Sequence, residues 1–161
     1  MRPPFRKKAR EVAFLTLYTW DMRGEELKQI FDEVVRERGL KSKRVLSYAD
    51  ALVKTVEEHL TEIDAKIEEK LKDWSLDRLG FVERNALRLG TGELLFLKPP
   101  DPGRVFIDVV DLVRKYADDK AARFVNGVLS AVFKDSSLTA QEEKEEVKQD
   151  GKQEREKQGG G

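Results

Sequence analysis

From Leu46 to Trp74 an apolar residue recurs at every third or fourth position: Leu46, Ala49, Val53, Val56, Leu60, Ile63, Ile67, Leu71 and Trp74. A strand alternates its faces every second residue and cannot gather that set on one side, whereas an α-helix can. Charged residues gather on the opposite side. The spacing predicts one long amphipathic helix over residues 42–74, against which the rest of the chain has to pack.

The flanking segments carry the same period and end on recognisable stops. Residues 5–21 read as a first helix, with Pro3 and Pro4 suited to its entry and Ala9, Val12, Ala13, Thr16 and Trp20 forming its buried stripe. Gly24 ends it. Residues 25–38 make a second helix with Leu27, Ile30, Phe31, Val34 and Val35 on one side, closed by Gly39. After a short turn at 74–80, a fourth helix over 82–97 stops at the Pro-Pro-Asp-Pro-Gly run of residues 99–103. A fifth spans 104–116, and Asp118 or Asp119 can cap a last one reaching residue 133 or 134. From Asp135 onward the chain is highly charged, poor in aliphatic residues and without an aromatic, so residues 135–161 are expected to be a mostly disordered tail. Nothing in the chain reads as a strand, and the fold class is all-α.

Composition excludes more chemistry than it suggests. Without cysteine there is no disulfide, thiolate metal site or cysteine nucleophile. The only histidine, His59, sits inside the long helical stripe, where a structural or solvated role is expected. No HExxH, GxSxG, Walker A or GxGxxG pattern occurs. Asp108 and Asp111 read as a solvated helix face, and Asp118-Asp119 as a cap. An enzyme is not indicated, no cofactor is expected, and no apolar run approaches the length that crosses a bilayer.

The formal net charge is zero, so any attraction for a polyanion has to be local. It is local: Arg2, Arg6, Lys7, Lys8 and Arg10 open the chain with no acid among them. At 100° per residue, Lys7, Arg10, Glu11, Phe14, Tyr18 and Asp21 fall on one side of the first helix, away from the Ala9/Val12/Ala13/Thr16 stripe. Cations that neutralise phosphates, interleaved with rings that stack on bases, suit single-stranded nucleic acid. Phe14 and Tyr18 packed beneath another helix, with the cations merely solvated, satisfies the same periodicity. A cleavable targeting peptide fits poorly, since Glu11 follows at once and the apolar stretch runs into the core stripe.

Three segments carry a family resemblance: ARExAxxxLYxW at residues 9–20, LxRLGxVERNxLRLGTxELL at 76–95, and RFVNGVLS at 123–130. In this order and at these separations they resemble the NusB family of transcription antitermination proteins over roughly residues 2–133. The chain departs from the family pattern at Gly92, where a Tyr usually precedes the Glu, at Ile107-Asp108 in place of Asn-Glu, and at Ser130 in place of Asp.

The resemblance implies about seven helices in two small packed bundles, here residues 1–74 and 75–134. It implies binding of boxA-type single-stranded RNA in nascent leader transcripts together with NusE, a small-subunit ribosomal protein, within the RNA polymerase antitermination complex. The cytoplasm is the expected location. The family's basic helix maps to Arg2, Arg6, Lys7 and Arg10. With Phe14 from the cation–aromatic face and Arg123 and Phe124 from the last motif, these are the expected RNA contacts. Tyr18, Glu83 and Asp118 are the positions carried over for NusE. Val125 and Val128 read as core. Gly127 inside a helix costs about 1 kcal/mol relative to Ala, which predicts close approach of another helix or a ligand backbone. An accessory module for an RNA methyltransferase and a protein–protein adaptor are the alternative readings; monomer or homodimer is left open.

Overall fold

Seven α-helices account for most of residues 5–138, the part of the chain that the computed structural model describes, and no strand occurs among these residues. They are α1 (Phe5–Arg23), α2 (Leu27–Glu37), α3 (Lys43–Glu58), α4 (Leu60–Glu69), α5 (Phe81–Gly92), α6 (Pro102–Tyr116) and α7 (119–138). A 3₁₀ turn, Leu76–Arg78, leads into α5, and a π-helical turn, Glu93–Leu97, prolongs it. The ends obey local chemistry. Gly24 and Gly39 take positive φ after α1 and α2, where a side chain would be strained. Ser42 Oγ caps α3 by accepting from the Val45 N–H. Pro102 opens α6, and Asp118 Oδ1 accepts the Ala121 N–H at the start of α7. Helix α7 runs to residue 138, past the end expected at 133 or 134. Arg2 and residues 139–161 of the expected tail lie outside the described residues.

The long helix expected over residues 42–74 is two helices. The backbone turns at His59, whose φ of −114° and ψ of 20° separate α3 from α4. The ladder survives the bend, because the His59 N–H donates to Thr55 O and His59 O accepts from the Ile63 N–H. The apolar stripe stays in step because both halves pack against α5. Gly92 of α5 sits in the elbow. A Cβ there would lie 2.9 Å from Val56 Cγ2 of α3 and 3.4 Å from Ile63 Cδ1 of α4. The missing side chain is what lets the elbow close. The His59 ring stacks flat on Phe96, 4.0 Å between centroids, and so serves the bend.

Two apolar clusters form the interior. The larger draws on all seven helices, from Phe14 and Leu17 of α1 through Leu87 and Leu89 of α5 to Val125 and Leu129 of α7. The smaller joins Ala9 and Val12 of α1 to Ile30 and Val34 of α2 and Val45 and Ala49 of α3. Helix α1 therefore lies between them, touching α2 and α3 on one side and α5 and α6 on the other.

Of the two close approaches expected at Gly127, that of another helix does not occur. A Cβ built on it meets nothing within 4 Å, and the residue is exposed. The close approach occurs instead at Gly90, where a Cβ would lie 2.8 Å from Leu129 Cδ2, and at Gly92. Gly127→Ala will accordingly raise stability by up to about 1 kcal/mol, seen as a higher melting temperature. A lower one would show that α7 needs the glycine in the folded chain.

Candidate nucleic-acid interface

The start of α1 divides its cations sharply. Lys7 and Lys8 project into solvent, and Arg6 is half-buried. Arg10 is 1% exposed. The expectation that it meets RNA is thus corrected. Its Nε and Nη2 donate to the two carboxylate oxygens of Glu93, each at 2.7 Å, and its Nη1 donates to Asp108 Oδ2 at 2.7 Å. Glu93 is 0% and Asp108 2% exposed. The Tyr48 hydroxyl donates to Glu93 Oε2 as well. Burial alone would lower the Arg10 pKa, but the two carboxylates outweigh it and hold the guanidinium above its ordinary value. Burial and the bond to Glu93 push the Tyr48 phenol up. Asp108, read as part of a solvated face with Asp111, belongs to this buried cluster.

Phe14 is likewise corrected. Its ring is 1% exposed, with the Tyr116 ring at 5.4 Å and Tyr18 at 6.1 Å. The helical projection misled because α1 has two covered sides, so residues away from one apolar stripe face α5 and α6 rather than water. Beside it, Glu11 binds Arg38 at 3.0 Å and Lys115 at 2.9 Å. Burial would raise the Glu11 pKa, yet Lys115 and Arg38 bring it below the usual carboxylate value.

At its other end α1 meets the start of α5. Tyr18 is half-buried, edge-on to Phe81 with 6.0 Å between centroids. Arg84 lies over the Phe81 ring at 4.9 Å and binds Asp21 at 2.7 Å. Asn85 Nδ2 donates to the same Asp21 oxygen. Against the effect of burial, these partners and Arg88 lower the Asp21 pKa. Glu83 is half-buried on the first turn of α5, two residues after Phe81, whereas Asp118 is exposed and engaged as the α7 cap. Arg123 and Phe124 are exposed on α7, the ring at 37%. Among the described residues no hydrogen bond, ion pair or ring contact joins them to the start of α1.

Residues not foreseen complete the basic end. The Phe5 ring has the Arg44 guanidinium at 4.8 Å and that of Arg6 at 5.7 Å, and Tyr48 packs edge-on at 6.2 Å. Arg6 also lies 5.2 Å from the Tyr48 ring. The signal was present in Lys-Ser-Lys-Arg-Val-Leu-Ser-Tyr, residues 41–48, which repeats the basic-then-apolar pattern that opens α1. Glu93, alone in an apolar run, was the sign of a buried partner for an arginine. Among the described residues no cluster of three potential metal ligands occurs, and no helix is long and apolar enough to cross a membrane.

An exposed cationic helix start set among aromatic rings, on a fold that is helical throughout the described residues, is an arrangement suited to nucleic acid. Comparison with known proteins makes this particular. The family model described as NusB family matches residues 7–134. The chain is 58% identical over 144 residues to the transcription antitermination protein NusB of Aquifex aeolicus, covering 89% of this chain and 97% of that one. It is 48% identical over 132 residues to NusB of Persephonella marina, covering 81% and 93%. A crystal structure of the antitermination factors NusB and NusE in complex with dsRNA superposes with a TM-score of 0.79 at 59% identity, over 83% of this chain and 98% of that one. The chain belongs to the NusB family.

Proposed function

We propose that this chain is a transcription antitermination factor that binds boxA-type single-stranded RNA of nascent leader transcripts together with NusE, and so helps RNA polymerase pass terminators. The observation that carries the reading is the solvent-facing pair Lys7 and Lys8 on a helix whose neighbouring Arg10 is locked inward. The fold fixes where those charges point. The relative solved with NusE and dsRNA supports NusE and RNA as the partners. Arg6, Lys7 and Lys8 neutralise phosphates here, with Arg123 and the Phe124 ring as further contacts on α7. Tyr18, Glu83 and Asp118 face NusE. The factor works by binding, without a reaction of its own, and in the cytoplasm.

A gel-shift titration tests this, with boxA RNA, a scrambled strand and a boxA duplex, each with and without NusE at two salt concentrations. The single boxA strand will bind more tightly than the scrambled one, more so with NusE present. Its log K will fall by about 0.7 per phosphate contact against log salt. Equal binding of boxA and scrambled RNA with NusE present overturns the reading.

A further inference from the structure

Phe5 stands as a ridge between two grooves at the basic end, and their charges differ. The larger, about 620 Å³, runs along α1 and α6 and is lined by Glu11, Asp108 and Asp111 as well as by Lys7, Lys8 and Lys115. Its three carboxylates are already partnered, Asp108 by Arg10, Asp111 by Arg114 and Glu11 by Arg38 and Lys115, which leaves Lys7 and Lys8 as its cations without a carboxylate among the described residues. The smaller, about 400 Å³, runs along the first turns of α3 and is lined by Phe5, Lys43, Arg44, Ser47, Tyr48 and Ala51. No carboxylate lines it, and the first turn of α3 has no acidic residue. Lys43, Arg44 and Ser47 are exposed, and among the described residues neither cation is paired with a carboxylate.

We propose that the RNA track leaves α1 at Lys7 and Lys8, crosses the Phe5 ring, and continues along the α3 groove, where Lys43 and Arg44 each take a phosphate. The proposal rests on the RNA-binding reading above and assigns to it a second helix. Charge decides the route. A phosphate chain running on from Lys7 and Lys8 along the larger groove would approach three carboxylates, whereas the smaller offers it two cations, two rings and no carboxylate. Arg44 lies against the Phe5 ring at 4.8 Å, which holds a planar cation and an aromatic side by side. That pair suits a stacked base with its phosphate alongside.

The test is the salt dependence of boxA RNA binding by the full chain, followed by fluorescence anisotropy. The Lys43→Ala/Arg44→Ala double variant will lower the slope of log K against log salt by about 1.4, two contacts at 0.7 each. A fourfold rise in salt will then cost the variant roughly sevenfold less affinity than it costs the wild type. Its melting temperature will stay near that of the wild type. Ser47→Glu, which places a carboxylate in the groove, will weaken binding without unfolding the chain. The Lys28→Ala/Lys134→Ala pair, exposed cations on α2 and α7, will leave the slope unchanged. If wild-type chain prefers boxA but the α3 variants behave like that control pair, the α3 track is wrong and the RNA reading stands. If wild-type chain shows no preference for boxA, both fall. If the α3 variants lose capture of NusE in the absence of RNA while keeping the wild-type RNA slope, the groove is a protein surface and the track is overturned.

Discussion

Arg10→Met will destabilise the folded chain by about 3–5 kcal/mol, because it leaves two buried carboxylates facing each other with their cation gone. Glu93 loses two charge-assisted bonds and Asp108 one. Tyr48 can offer Glu93 a hydroxyl but no charge. In a domain of this size the melting temperature should fall by on the order of 10–20 °C, measured by circular dichroism. Removing the whole cluster with Arg10→Met, Glu93→Met and Asp108→Leu should restore a good part of the loss, since no buried charge is then left unpaired. Below its melting transition the single variant should keep wild-type affinity for RNA. An unchanged melting temperature with RNA affinity lost would instead place Arg10 at the RNA and contradict the geometry.

Phe14→Ala will cost about 3–5 kcal/mol for a related reason, the cavity left by a fully enclosed ring. Its neighbours are Tyr18, which fixes the α5 end of the helix, and Tyr116 at the end of α6. Neither ring can swing in without giving up its contact with Phe81 or Glu11. Urea unfolding will show a lower midpoint with little change in slope. Lys7→Ala/Lys8→Ala is the informative contrast. Both side chains are exposed, so stability will hold while the salt slope of RNA binding falls. A Phe14→Ala chain that melts like the wild type and binds RNA poorly would return the ring to the binding surface.

Features set by a few neighbouring residues could be read from the order of amino acids. The glycine stops at Gly24 and Gly39, the proline break before α6 and the Asp118 cap each follow from local backbone chemistry, and each stands in the structure. Helices whose apolar stripe faces one neighbour were also legible. Helix α1 was not, because it is covered on two sides and its second covered side carries Arg10 and Phe14, which look like surface residues in projection. The bend at His59 left no trace in the stripe, since both halves face the same helix. The glycines show the limit most clearly. Nothing near Gly127 distinguishes it from Gly90 or Gly92 until Leu129, Val56 and Ile63 arrive from elsewhere in the chain. The basic end was recognised by charge density, but which cations it spends inward depended on carboxylates 83 and 98 residues away.

That separation bears on how the protein is made. Arg10 is made well before Glu93 and Asp108, and waits until both have been synthesised before its partners exist. Until then α1 can settle against α2 and α3, which complete the smaller apolar cluster early, but its inward arginine has no counter-charge. Locking of Arg10 is therefore among the last events of synthesis, after α1 has found α2 and α3. A fragment truncated before Glu93 would carry Arg6, Lys7 and Lys8 with Arg10 still lacking both of its buried carboxylates, free to join the charges that the finished fold keeps apart.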